Sequence, residues 1–176
     1  WGLGWPFETS LAMARLVHSG LFERHPKLAV IAHHGGAMIP FFCDRLEPLD
    51  GESSASAAGS AADRFRCFHV DTIVGTPAAL RCSIDFFGVD RVLFATDMPF
   101  GGPGVVRDAI ATVEALELSE ADRANVFHAN AERVLLAASA SAAGAIRILS
   151  FCSTMRTFWP ASTTFRASPM VVAFRE

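Results

Sequence analysis

Three side chains in this sequence have the type and setting to move protons or hold a cation: His34, Asp71 and Asp97. His34 follows the apolar run Leu28–Ala32 and precedes Gly35 and Gly36. Asp71 lies within the stretch 68–73, and Asp97 follows the run Arg91–Ala95. Reactive groups in parallel α/β sheets collect at the carboxyl ends of strands, where the loops enclose a common cavity. An imidazole and two carboxylates there suit metal ligation coupled to general acid–base chemistry. Spacing alone leaves other roles open. A histidine before Gly-Gly also serves as a structural hydrogen-bonder, and an aspartate after a strand also caps the loop that follows.

The elements that must position these groups alternate in type. Met13, Leu16, Val17, Gly20 and Leu21 recur at helical spacing, so a helix is expected from Thr9 to Arg24, capped by Thr9 or Ser10 after a turn at Pro6. A strand over 28–32 with apolar residues on both faces fits a buried parallel sheet. A second helix is expected over 38–50 with Phe41, Phe42 and Leu46 inward, then a mobile loop over 51–62. Further expectations are a strand over 68–73, a helix over 76–87, a strand over 91–95, and a helix with Val106, Ala109, Ile110, Val113 and Leu116 on one face. Ser119 and Asp122 resemble a capping box for a short helix through about Phe127, and Asn130 is read as the cap of a last helix over 131–138. Three strands alternating with helices make βαβ units with right-handed crossovers.

Composition narrows the function. The 176 residues are 51% hydrophobic with a net charge of −3, and the 15 basic residues form no patch, so nucleic acid is not an expected partner. No run approaches the roughly 18 apolar residues of a membrane span, so no membrane partner is expected either. Four scattered cysteines without a CxxC pair speak against a thiolate zinc site, and no signal peptide is evident; a cytoplasmic location is expected. The last 40 residues hold four arginines, one acid and no lysine, without helix or strand periodicity, and are expected to be disordered. The chain opens at Trp1 inside a motif, which is expected of a piece of a longer protein.

Several ordered motifs resemble the amidohydrolase-2 family, in its branch of aminocarboxymuconate-semialdehyde and resorcylate decarboxylases. They are Trp5-Pro6-Phe7-Glu8-Thr9, the segment 22–28, Ala32-His33-His34-Gly35-Gly36 through Pro40, Val70-Asp71-Thr72, the segment 87–101 and Asn130-Ala131-Glu132-Arg133-Val134-Leu135. The resemblance covers residues 1–137 and implies a partial barrel domain, with 138–176 as an atypical tail. It implies the C-terminal portion of a (β/α)8 barrel, strands six to eight with their helices, and a divalent metal in the full-length parent, zinc first and manganese second. His34 matches the strand-six histidine that acts as acid–base or water-activating group. Asp97 matches the strand-eight aspartate that binds the metal and handles a proton. Trp1 falls near an aromatic that lines the substrate pocket, His33 ranks below His34, and Asp71 is either a substrate-pocket hydrogen-bonder or a structural cap.

The departures concern the metal. The family's first-strand His-x-His pair has no counterpart among the six histidines here, and catalytic zinc needs about three protein ligands. His18 and His25 are read as solvated, His69 as a packing or outward residue, His128 as a helix-end cation and Glu8 as an N-terminal helix charge. The leading expectation is part of a metal-dependent, non-oxidative decarboxylase of a small aromatic or unsaturated carboxylic acid. A metal-dependent amidohydrolase or lactonase is the alternative within the scaffold, and a catalytically inactive half-barrel the alternative outside it. Beyond the substrate, the expected partner is a second copy, because three strands leave two open sheet edges.

Overall fold

The three apolar runs do become parallel strands, each shorter than its run. The computed structural model describes residues 1–46, 60–139, 146–149 and 170–173. Strand β1 (Ala29–Ala32) pairs with β2 (His69–Asp71), and β2 with β3 (Val92–Leu93). Ile31 stands beside His69, Ala32 beside Val70, and Val70 beside Val92. Alternation then puts Val30, Ala32, Val70 and Val92, all fully buried, on one face. They share one core with Met13, Leu80 and Val113. Beyond β3 the ladder gives way to other partners. The Phe94 N–H donates to the Val126 carbonyl at 2.9 Å. The Thr72 hydroxyl exchanges 3.0 Å hydrogen bonds with the Ala95 carbonyl and N–H.

Helix α1 (Gly4–His18) starts five residues before Thr9 and stops at His18; Gly20, at φ +66°, separates it from the short α2 (Leu21–Arg24). Pro6 is therefore not a turn before the helix but part of its first turn, where a missing N–H costs nothing. Thr9 and Ser10 are likewise not caps, which frees both side chains for contacts outside the helix.

The helix expected over 38–50 does not form in its described part. Its start is spent on four successive residues at positive φ, His34, Gly35, Gly36 and Ala37, and the only regular turn after them is a 3-10 turn at Cys43–Arg45. Phe41 (76% exposed) and Phe42 face outward rather than inward, whereas Leu46 is buried as expected; 47–50 lie outside the described residues. Of the loop expected over 51–62, only 60–62 are described, and there Ser60 opens α3 (Ala61–Phe65) with a capping box to Asp63.

Helix α4 (Pro77–Phe87) matches its expected span, with the Thr76 hydroxyl accepting from the Ala79 N–H and Gly88 ending it. Helix α5 (Val105–Glu114) buries Val113 but leaves Val106 at the surface. Ser119 caps α6 (Glu120–Ala124) as its spacing implied. A π-helical turn (Asn125–Ala129) then leads directly into α7 (Asn130–Ser139). Asn130 is helical itself and caps nothing. Its buried amide instead donates to the carbonyls of Val89 (2.8 Å) and Val92 (2.7 Å), tying α7 to the start of β3.

The tail departs from expectation at two places. Residues 146–149 form β4 and 170–173 form β5, both antiparallel, giving the sheet order β3-β2-β1-β5-β4. Val172 pairs with Val30, so the far edge of β1 is covered rather than open. A four-residue strand is too short to announce itself by alternation, which is why the sequence shows none here. Among the described residues, no helix is long and apolar enough to cross a membrane.

Candidate active site

The turn after β1 is built before it is functional. Left-handed backbone at Gly35 and Gly36 runs so close to its neighbours that an added Cβ would lie 2.3 Å from Val74 Cγ1 and 2.4 Å from Phe87 Cε2, respectively. The Gly35 N–H donates to Asp71 Oδ1 at 2.9 Å, and the buried Ser83 hydroxyl donates to the Gly35 carbonyl at 2.8 Å. Asp71 Oδ1 accepts a second bond from the Ile73 N–H at 3.0 Å. Asp71 thus caps two loop amides. Its other oxygen, Oδ2, is buried, accepts no hydrogen bond and lies 3.1 Å from His33 Nδ1. That contact is one of charge and proximity, not of hydrogen-bond alignment.

His34, at φ +58°, presents Nδ1 to the Thr9 hydroxyl at 3.3 Å, while the Ser10 hydroxyl accepts from the Met38 N–H at 3.0 Å. The first turns of α1 thereby hold the histidine loop. Burial pushes the His34 pKa below the usual imidazole value, and His33 adds to this; Asp71 and Asp97 oppose it. The ring is accordingly held neutral, able to accept a proton.

Asp97 follows β3 and is also at positive φ, +58°, with its carbonyl accepting from the Phe100 N–H at 2.9 Å. His34 and Asp97 line one cavity of about 410 Å³, shared with Trp1, Trp5, Ile73 and Val74. Two indoles, two aliphatic side chains, a neutral imidazole and a carboxylate would receive a flat, partly polar small molecule. Trp1 lines the cavity as the resemblance implied, although most of its surface is exposed. Asp71 is placed beneath the His33–Gly35 turn as a cap.

Sequence reasoning passed over Trp5, Thr9 and the His33–Asp71 contact. Trp5 and Thr9 stood inside a quoted motif, and the strand register that sets Asp71 beside His33 was not readable from either segment alone. His18 and His25 are exposed, and His128, also exposed, lies 3.4 Å from Glu132. His69, on the sheet face opposite Val70, has a buried Nδ1 without a hydrogen-bond partner, and burial drives its pKa down to about 4.

Among the described residues, no cluster of three or more His, Cys, Asp or Glu side chains could hold a metal ion. This chain's own groups do not fit a complete metal centre.

An α/β scaffold with a histidine and an aspartate on strand-end loops around one cavity defines the class of barrel-type acid–base enzymes. The amidohydrolase family model (Amidohydro_2) matches residues 1–136, and the chain belongs to that family. It is 33% identical over 144 residues to a gamma-resorcylate decarboxylase of Rhizobium sp. (strain MTP-10005), covering 76% of this chain and 43% of the relative. The crystal structure of 5-carboxyvanillate decarboxylase from Sphingomonas paucimobilis superposes with a TM-score of 0.63 at 32% identity, over 74% of this chain and 40% of that one. A dihydroxybenzoic acid decarboxylase from Polaromonas sp. JS666, solved with manganese and 2-nitroresorcinol, gives 0.59 at 29% identity, over 70% and 38%. The solved neighbours are amidohydrolase-family decarboxylases of TIM-barrel fold. The chain spans about two fifths of the length of these relatives.

Proposed function

We propose that this chain is the C-terminal part of a metal-dependent, non-oxidative decarboxylase of a small aromatic carboxylic acid, contributing strands six, seven and eight of the barrel as β1, β2 and β3. The observation that carries the reading is the single cavity bounded by His34, Asp97 and two indoles. The named activities of the relatives point the same way. Residues 1–137 form the barrel part in this reading, and the rest is an appendage.

The chemistry is balanced without any redox partner. The ring carbon bearing the carboxylate gains a proton, the bond to the carboxyl carbon breaks, CO2 leaves, and the electron pair returns to the ring. His34, kept neutral by burial, can take a proton and return it, and Asp97 can pass one. The indoles and Ile73 hold the ring plane and exclude water. A divalent ion, manganese or zinc, would supply charge neutralisation for the substrate's oxygens. Asp97 is this chain's contribution to its ligation, and the remaining ligands must come from further barrel strands.

The test restores those strands. Residues 1–137 are joined to the N-terminal barrel segment of a gamma-resorcylate decarboxylase, the chimera is loaded with manganese, and CO2 release from 2,6-dihydroxybenzoate is measured. Turnover is expected, with Asp97→Asn losing metal or nearly all activity. His34→Ala should keep the metal and lose about 10²- to 10⁴-fold in kcat, the usual contribution of one positioned acid–base group. Both variants staying within about threefold of the parent chimera would remove these two roles, since either role predicts a far larger loss. Hydrolysis of a lactone in place of CO2 release would transfer the site to the hydrolase branch.

A further inference from the structure

The carboxylate of Asp71 has one satisfied and one unsatisfied oxygen. Oδ1 already takes two backbone N–H groups, from Gly35 and Ile73. Oδ2 is sealed from water and receives no hydrogen bond, a costly condition for a buried carboxylate. His33 Nδ1, at 3.1 Å, lies within hydrogen-bonding distance of it. A small rotation of the imidazole would bring its N–H onto that oxygen and remove the deficit. The neighbouring His34 is in a different position, since its Nδ1 faces the Thr9 hydroxyl, which donates or accepts equally well and so dictates no tautomer.

We propose that Asp71 is a positioning residue for His33: its Oδ2 takes the Nδ1–H and holds the neutral ring with its lone pair on Nε2. His33 is thereby the pre-oriented proton acceptor of the strand-end turn, and His34 its uncommitted neighbour. The functional sense of this pairing rests on the reading of the turn as a proton-transfer site. The pairing itself is a property of the folded chain and can be measured without turnover. A carboxylate that fixes one imidazole nitrogen as a donor leaves the other as the base. The same carboxylate locks the backbone of the turn through Gly35, so one side chain sets both the position of His33 and the nitrogen on which it reacts.

The experiment is long-range ¹H–¹⁵N correlation on the full chain with ¹⁵N-labelled histidine, at a pH where the ring is neutral. His33 is expected as the Nδ1–H tautomer with a bare Nε2. Asp71→Asn keeps an acceptor for Gly35 and Ile73 if its carbonyl oxygen occupies the Oδ1 position. It then offers Nδ1 a donor, so His33 should switch to the Nε2–H tautomer. Ser83→Ala removes the other clamp on Gly35 and should leave the tautomer unchanged, which separates positioning by charge from simple bracing of the loop. A native chain showing His33 as Nε2–H, or an Asp71→Asn chain with His33 unchanged, overturns the proposal. Should Asp71→Asn fail to fold, the native spectrum decides alone. A chimera that releases no CO2 while His33 shows the Nδ1–H tautomer would count against the decarboxylase reading and leave the pairing standing.

Discussion

His69 and His34 show how the same residue type is set to different tasks by its surroundings. Both are pushed toward the neutral form chiefly by burial, but His69 sits in β2 with a buried, unpartnered Nδ1, next to Arg91 and Arg133, which further disfavour a positive charge, and Asp90, which favours one. Its folded-state pKa of about 4 lies below the ordinary imidazole value, so the unfolded chain binds the proton more readily. The stability due to neutral His69 is therefore complete above pH 6.5 and is lost progressively as the pH falls toward 4. At about 1.4 kcal/mol per unit the loss amounts to a few kcal/mol at most. Urea denaturation between pH 7 and 4 should show this slope, and His69→Leu should flatten it. An equally steep slope in the variant would place the acid sensitivity elsewhere.

At the scale of elements, the site depends on where strands stop. β1 ends at Ala32 because four positive-φ residues follow. β3 ends at Leu93 because the next two amides find partners outside the ladder. These endings place His34 and Asp97 on loops rather than on the ladder. Gly35→Ala should be strongly destabilising, by about 2–4 kcal/mol, because strain at positive φ adds to a Cβ overlapping Val74 and Ser83. Asn130 makes the comparable link between α7 and the start of β3. Asn130→Ala leaves two carbonyls without their donor and should cost about 1–3 kcal/mol. Thermal melts of the two variants check both values. An Asn130→Ala chain as stable as the parent would mean that water replaces the amide, so that the side chain does not anchor the helix.

For the molecule as a whole, the question is what covers the sheet. Three parallel strands alone would offer two open edges, yet β5 occupies one of them through Ala29–Ile31, and β4 covers β5 in turn. Backbone groups on a sheet edge recruit other strands when left bare. Deleting residues 140–176 uncovers the β1 edge. The truncated chain should elute as larger species on size-exclusion chromatography and exchange the Val30 and Ile31 amides faster than the full chain. If the full chain elutes as the same large species, the appended strands are not what limits association.

The sequence by itself determined the local features. The strand sites at 29–32, 69–71 and 92–93 followed from short apolar runs between turn residues, the span of α4 from Thr76, Pro77 and Gly88, and the α6 cap from Ser119. The motifs around His34 and Asp97 were legible as a family pattern, because residue type and order survive without coordinates. Only the tertiary structure decided which groups meet. Thr9 and Ser10 have the composition of helix caps, but a helix begun at Gly4 left them to bind His34 and the Met38 amide. Phe41 and Phe42 have the hydrophobicity of core residues, but the left-handed turn before them aimed both outward. Asn130 was readable as a cap and became a cross-brace because the helix ran on through it. The contact of Asp71 with His33, 38 positions apart, and that of Val172 with Val30, 142 apart, depend on register between segments that share no local signal. Periodicity encodes the face a residue prefers; which neighbour fills that face is fixed only when the chain closes on itself.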